Sequence, residues 1–220
     1  VNTIIIGNLT VYAFPKIVAR MEGHTEREGQ KALWDYAMLF QLAVCLLFGG
    51  FVCVGAEGID LLFLHGKFDA AASASVYFCS CLYLVGQQNN IVRDLIYRYF
   101  FGKGNTGATF RNSVAVSCAN LVLSLILVRF LGLSGIILGT VLAGLLSLVM
   151  ILIKMKQYYG LYPEFRGFLV ETARNNAVML LSTAGVLGLK RLLPSLPGLI
   201  AIGVYGLACA GLFVALAFLF

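Results

Sequence analysis

Ser73-Ala74-Ser75-Val76-Tyr77-Phe78-Cys79-Ser80-Cys81-Leu82-Tyr83-Leu84-Val85-Gly86-Gln87-Gln88-Asn89-Asn90-Ile91-Val92-Arg93-Asp94-Leu95-Ile96-Tyr97-Arg98-Tyr99-Phe100-Phe101 is the stretch that decides how the chain is read. Its first half is an apolar helix of membrane grade. Its second half turns polar with no helix breaker between. Read as one helix, Asn90, Asp94 and Arg98 fall on one face at i, i+4 and i+8, with Gln87 close by. Residues four apart stack on a helix, and Asp before Arg is the favourable order. Ionisable groups on a membrane helix face a bundle interior or a wet cavity. The bland alternative places Arg93, Asp94 and Arg98 in the headgroup layer, where charge costs little.

Composition agrees with a membrane setting. Hydrophobic residues make up 60% and charged residues 12%, against about 25% charged in soluble domains. The mean hydropathy is +0.90. A helix needs about 20 apolar residues to cross the hydrocarbon. Seven stretches are predicted to cross or nearly so: 1–19, 33–56, 73–101, 109–128, 133–153, 168–189 and 195–220. The expected fold class is all-α, a polytopic membrane helix bundle. Val1 already lies in an apolar run, which reads as a piece cut from a longer protein.

Loop charge then sets an expected orientation. Assigned alternately, one side collects 12 of the 16 Lys and Arg residues and the other 4. Positive charge accumulates on cytoplasmic loops. The loops at 20–31, 102–107 and 154–167 are therefore expected in the cytoplasm, together with the C-terminal Phe220. Arg98 and Lys103 then stand at the cytoplasmic mouth of the third helix, with Asn90 and Gln87 deeper. The net charge of +6 belongs to this pattern and implies no nucleic-acid partner.

Gly102-Lys103-Gly104-Asn105-Thr106-Gly107 lacks the spacing of a phosphate loop and reads as a tight helix–helix turn. Lys103 would still be free to meet a phosphate at the surface. Gly135-Ile136-Ile137-Leu138-Gly139 permits close helix contact. Asn120, mid-way along the fourth stretch, either glues helices or lines a cavity. Cys45, Cys53, Cys79, Cys81, Cys118 and Cys209 all lie in apolar runs and read as small packing residues, not disulfides or metal ligands. His24 and His65 have no carboxylate, Ser or Cys partner at a useful spacing. No nucleophile–base set, paired buried carboxylates or metal motif is present, so neither an enzyme nor a cofactor is indicated.

Several segments together resemble a family. Pro15-Lys16-Ile17-Val18-Ala19-Arg20 is similar to the Leu-Pro-Arg-Leu-Ser-Arg helix end of the MurJ/MviN-type lipid II flippases. Asp60-Leu61-Leu62-Phe63-Leu64-His65-Gly66-Lys67-Phe68 resembles their Leu-Phe-x-Arg-Gly-x-Phe segment, with His65 in place of Arg. Arg93-Asp94-Leu95-Ile96-Tyr97 followed by Gly104-Asn105-Thr106 is similar to their Phe-Tyr-Ala-x-Gly-Asp-Thr-x-Thr-Pro region, with Asn105 for Asp and Gly107-Ala108 for Thr-Pro. Asn120-Leu121-Val122-Leu123 and Gly132-Leu133-Ser134-Gly135-Ile136 match the following pair.

The resemblance implies a 14-helix transporter of which this chain is the C-terminal half. Residues 1–20 would end one helix, 33–156 would supply four helices of the C-terminal lobe, and 168–220 the two extra helices. It implies translocation of a lipid-linked cell-wall precursor, lipid II, across a bacterial inner membrane by alternating access. The partners would be the lipid-linked oligosaccharide, membrane lipid and a coupling ion. The candidate cavity residues are Gln87, Asn90, Arg93, Asp94, Arg98 and Asn120, with Arg93 and Arg98 set to meet phosphate. The alternatives are an oligosaccharide-lipid flippase, a cation-coupled multidrug antiporter using Asp94, and a non-transporting membrane scaffold.

Overall fold

The computed structural model describes residues 7–21, 25–65, 68–192 and 198–219. The start of the first predicted crossing, His24, Lys67, Pro194, Pro197 and Phe220 lie outside the described residues. The described residues form seven helices: α1 (Gly7–Met21), α2 (Glu26–Phe63), α3 (Ala70–Gly102), α4 (Thr106–Leu131), α5 (Leu133–Tyr159), α6 (Glu164–Leu192) and α7 (Gly198–Leu219). The all-α membrane bundle expected from sequence is what the chain adopts.

Five of the seven, α2, α3, α4, α5 and α7, are long and apolar enough to cross a membrane. The described part of α1 is 15 residues, short of a crossing. α6 runs 29 residues but carries Glu171, Arg174, Asn175 and Asn176 along its length. The outward faces are those of a lipid-bathed protein. Phe110, Leu121, Leu125 and Phe130 of α4 are all more than half exposed, a pattern that in water would be an aggregation hazard.

The helices outrun the predicted apolar stretches at several ends. α2 begins at Glu26, not Leu33, because Glu28 reaches back over the helix start: the Thr25 N–H donates to Glu28 Oε2 at 3.2 Å. It also continues past Ala56 to Phe63. Glu57 pairs with Lys190, and Asp60 accepts from the Ser73 hydroxyl, so neither charge needs a loop. α5 reaches Tyr159, with Lys154 donating to the Ala108 carbonyl at 2.9 Å.

The chain divides into two compact units. The first comprises Val1–Gln41 and Val85–Thr172, the second Leu42–Leu84 and Ala173–Phe220. In the first unit Ile91, Val92, Leu95, Ile96, Tyr99 and Phe100 of α3 are buried. The i, i+1, i+4, i+5 spacing is a helical stripe. Trp34 of α2, fully buried, stacks on Phe168 of α6 at 5.1 Å. In the second unit Cys53, Val186, Ala201, Tyr205 and Cys209 form one core cluster, and Cys45, Val178, Met179 and Phe213 another. Tyr77 of α3 donates to the Val52 carbonyl at 2.7 Å there.

Between helices in lipid, association rests on close packing and hydrogen bonds more than on expelling water. The α4–α5 pair shows this. A Cβ on Gly135 would run into the Leu127 carbonyl oxygen, and one on Gly139 would lie 2.8 Å from Ser124 Oγ. Only glycine permits that approach. The pair is joined through Gly132 alone, at φ 58°, whose N–H bonds the Val128 carbonyl. The glycine-rich segment after α3 is a turn as expected. Gly104 has φ 70°, and the Asn105 side chain caps α4 by accepting from the Ala108 N–H.

Candidate functional site

α3 is one uninterrupted helix through the polarity change, so the alignment expected from sequence is realised. The buried stripe alternates with a half-buried one that holds Asn90, Arg93, Asp94, Tyr97 and Arg98. Four-residue periodicity places every charged residue of the segment on this second stripe. Gln87 lies elsewhere. It is in register with Ile91, Leu95 and Tyr99, is 3% exposed, and neither amide atom has a hydrogen-bond partner among the described residues.

Asp94 is held by its neighbour. The Arg93 Nη2 lies 2.9 Å and Nε 3.1 Å from Asp94 Oδ1. Adjacent residues on a helix do not face each other, yet the arginine arm is long enough to wrap sideways onto the carboxylate. The same guanidinium sits 5.7 Å from the Tyr97 ring centre, and Arg98 sits 5.9 Å from the ring of Phe14 on α1. Each arginine is thus steered by an aromatic ring, an arrangement that suits the flat guanidinium better than an ammonium. Asn90 Oδ1 packs against α5, where a Cβ on Gly144 would lie 3.0 Å from it.

Under this face lies a polar node that the sequence reading missed. Asn112 of α4 is fully buried. Its Nδ2 is 2.7 Å from the Tyr97 hydroxyl, 2.9 Å from Ser147 Oγ and 3.2 Å from the Ser147 carbonyl. The node ties α3, α4 and α5 together and fixes the ring over which Arg93 lies. One signal was available: Asn112 is eight residues before Asn120, hence on the same face of α4. Asn120 Oδ1 accepts from Ser124 at 3.0 Å and from Thr140 of α5 at 3.3 Å, which is the helix-gluing role.

Lys103, expected free for a surface phosphate, is instead engaged. Its Nζ is 2.6 Å from Glu26 Oε2, while the other oxygen of Glu26 accepts from the buried Tyr99 hydroxyl. Gln41 and Gln88 meet at 3.0 Å. All six cysteines are free thiols. No cluster of His, Cys, Asp or Glu that would hold a metal occurs among the described residues.

The site therefore offers two aromatic-backed guanidiniums, a carboxylate that partly neutralises one of them, and amides along the same helix. Chemically, such a set can pair with an anion that carries hydrogen-bonding groups.

The sequence matches the family model described as lipid II flippase MurJ over residues 2–214. No curated protein matches the chain. Among solved structures, a lipid II flippase MurJ in an inward closed conformation is similar at TM-score 0.79 and 15% identity. The similarity covers 97% of this chain and 42% of that one. At this identity it speaks to the fold, and the chain spans less than half of that protein's length.

Proposed function

The chain belongs to the MurJ family of lipid II flippases, and from that premise we propose that it is the C-terminal part of a transporter that moves lipid II from the cytoplasmic to the outer leaflet. The observation that carries this reading is the family match along nearly the whole chain. In the proposed arrangement α2–α5 belong to the second lobe, α6 and α7 are the two added helices, and α1 closes the preceding segment. The two lobes rock around a central cavity, as inverted-repeat transporters do. A coupling ion supplies the driving force.

The half-buried face of α3 is the proposed lining of the path. Arg93 and Arg98 meet the pyrophosphate as it crosses. Asn90 and Asp94 orient them and take hydrogen bonds from the headgroup. Gln87, whose amide has spare donors and an acceptor, lies deeper along the same helix, and Asn120 holds α4 and α5 together beside it. The 12-to-4 loop charge supports a cytoplasmic mouth at Arg98 and a cytoplasmic C-terminus.

Depletion of the full-length protein in its host tests the substrate. Lipid II should build up in the inner leaflet while later polymer synthesis stops. Accumulation of a different lipid-linked oligosaccharide, with lipid II turnover intact, would reassign the transporter. Arg98→Ala should abolish complementation at normal abundance, and Arg98→Lys should restore it in part, since an ammonium lacks the two-point grip on phosphate.

A further inference from the structure

A crevice of about 820 Å³ opens between α1 and the start of α2, lined by residues of those two helices. Its lining carries Lys16, Arg20 and Lys31 together with Glu28 and Asp35, and is completed by Ala19, Ala32 and Tyr36. Among the described residues no ion pair closes between the two sets. Glu28 spends one oxygen on the Thr25 N–H and keeps the other. Lys16 donates to the Tyr12 hydroxyl, one of three donors an ammonium has. Opposite charges that line one cavity without meeting leave a place for a ligand that carries both.

The surroundings say which kind of ligand. One turn before Lys16 on α1 stands Tyr12, and one turn after Asp35 on α2 stands Leu39. They are 60% and 57% exposed, and Val11 beside Tyr12 is 59% exposed. The charged mouth therefore continues, on both helices, into open apolar surface directed toward the membrane. A soluble anion would use the mouth and leave that surface bare. A lipid would use both, with its headgroup in the crevice and its chains along Val11, Tyr12 and Leu39.

We infer that the α1–α2 crevice is a binding site for a phospholipid whose headgroup joins a phosphate diester to a primary ammonium. Lys16, Arg20 and Lys31 take the phosphate. Asp35 and the free oxygen of Glu28 take the ammonium. The volume falls within the range of small-ligand pockets, roughly 300–1,000 Å³, and basic pockets between membrane helices are known seats for lipid headgroups. This inference needs the chain to lie in a bilayer with the α1–α2 face open to lipid. It stands or falls separately from the substrate assigned above.

The test uses the full-length protein, purified in detergent and stripped of lipid. Its thermal unfolding midpoint is followed against short-chain phosphatidylethanolamine, phosphatidylcholine, phosphatidylglycerol and inorganic phosphate. Phosphatidylethanolamine should raise the midpoint saturably. Phosphatidylcholine, whose nitrogen has no N–H for the carboxylates, and phosphatidylglycerol, which has no nitrogen, should act at concentrations about tenfold higher or more, the loss expected for charge-assisted hydrogen bonds. Arg20→Gln with Lys31→Gln should remove the response. Asp35→Asn should erase the preference for phosphatidylethanolamine over phosphatidylcholine. All three side chains are exposed, so the variants should unfold at the wild-type midpoint without lipid. Lys156→Gln with Arg166→Gln, exposed cations outside the crevice, should respond as wild type does. Equal responses to the three lipids, an unaltered response in the Arg20/Lys31 variant, or the same shift from inorganic phosphate alone would each overturn the inference.

Discussion

Gln87 carries a cost that its position does not explain structurally. A buried amide with no hydrogen-bond partner is unfavourable by about 1–3 kcal/mol, and both of its polar atoms are in that state. Gln87→Leu should therefore raise stability, by about 1–2 kcal/mol on that scale, read from the unfolding midpoint in detergent. If the amide is kept for the passing headgroup, the same variant should lose complementation while gaining stability. A stabilised variant that complements normally would take Gln87 out of the path. Asn112 differs in degree: its Nδ2 is engaged by Tyr97 and Ser147, while its Oδ1 is buried with no partner among the described residues, so that amide carries only part of the same cost.

At the scale of elements, the α4–α5 contact is the least forgiving. Gly135→Ala would drive a methyl group into the Leu127 carbonyl, and overpacking of this kind costs roughly 1–3 kcal/mol or more. The same change at Gly107, where a Cβ meets nothing, should leave abundance and unfolding unaltered, so the pair of variants checks the claim. The α2–α6 link responds to acid. Glu164 accepts from Arg27 at 2.7 Å, and that hydrogen bond holds its carboxyl below the usual value. A lowered folded-state pKa contributes stability above the unfolded-state value and loses it as pH falls through the folded one. Arg27 is solvent-facing, so the effect should be small and salt-sensitive. Glu164→Gln should remove this acid-dependent part of the unfolding profile and leave neutral-pH behaviour little changed. The elements also show what local sequence can say. The continuity of α3 and its polar face were legible because a four-residue period of polar groups is a property of adjacent residues. The ends of α2 and α5 were not. Glu57, Asp60 and Lys154 looked like exits into water, and each is retained in a helix by a partner distant in sequence, Lys190, Ser73 or the Ala108 carbonyl. Asn112 escaped notice for the same reason, since its burial is decided by Ser147, 35 residues away.

For the molecule as a whole, orientation is the testable property. With the native cysteines replaced, a single cysteine at Gly167 should be shielded from an impermeant thiol reagent added outside the cell, and one at His65 should be labelled. Both positions are exposed, so equal labelling would refute the arrangement drawn from loop charge. The one-residue link at Gly132 has a further consequence for how the chain is made. Two long apolar helices with a single glycine between them have no polar loop to pause on a membrane surface. The first is then held at the surface until the second emerges beside it, although its own length and apolarity suffice for a crossing. Synthesis should therefore deliver α4 and α5 to the lipid as one event. With the native cysteines replaced, nascent chains halted while α5 is still inside the ribosome should leave a cysteine at Leu131 unlabelled by a reagent on the far side of the membrane, and chains halted well beyond Tyr159 should expose it there. Arg129, near the tip of that hairpin, would be the one charge that crosses with it.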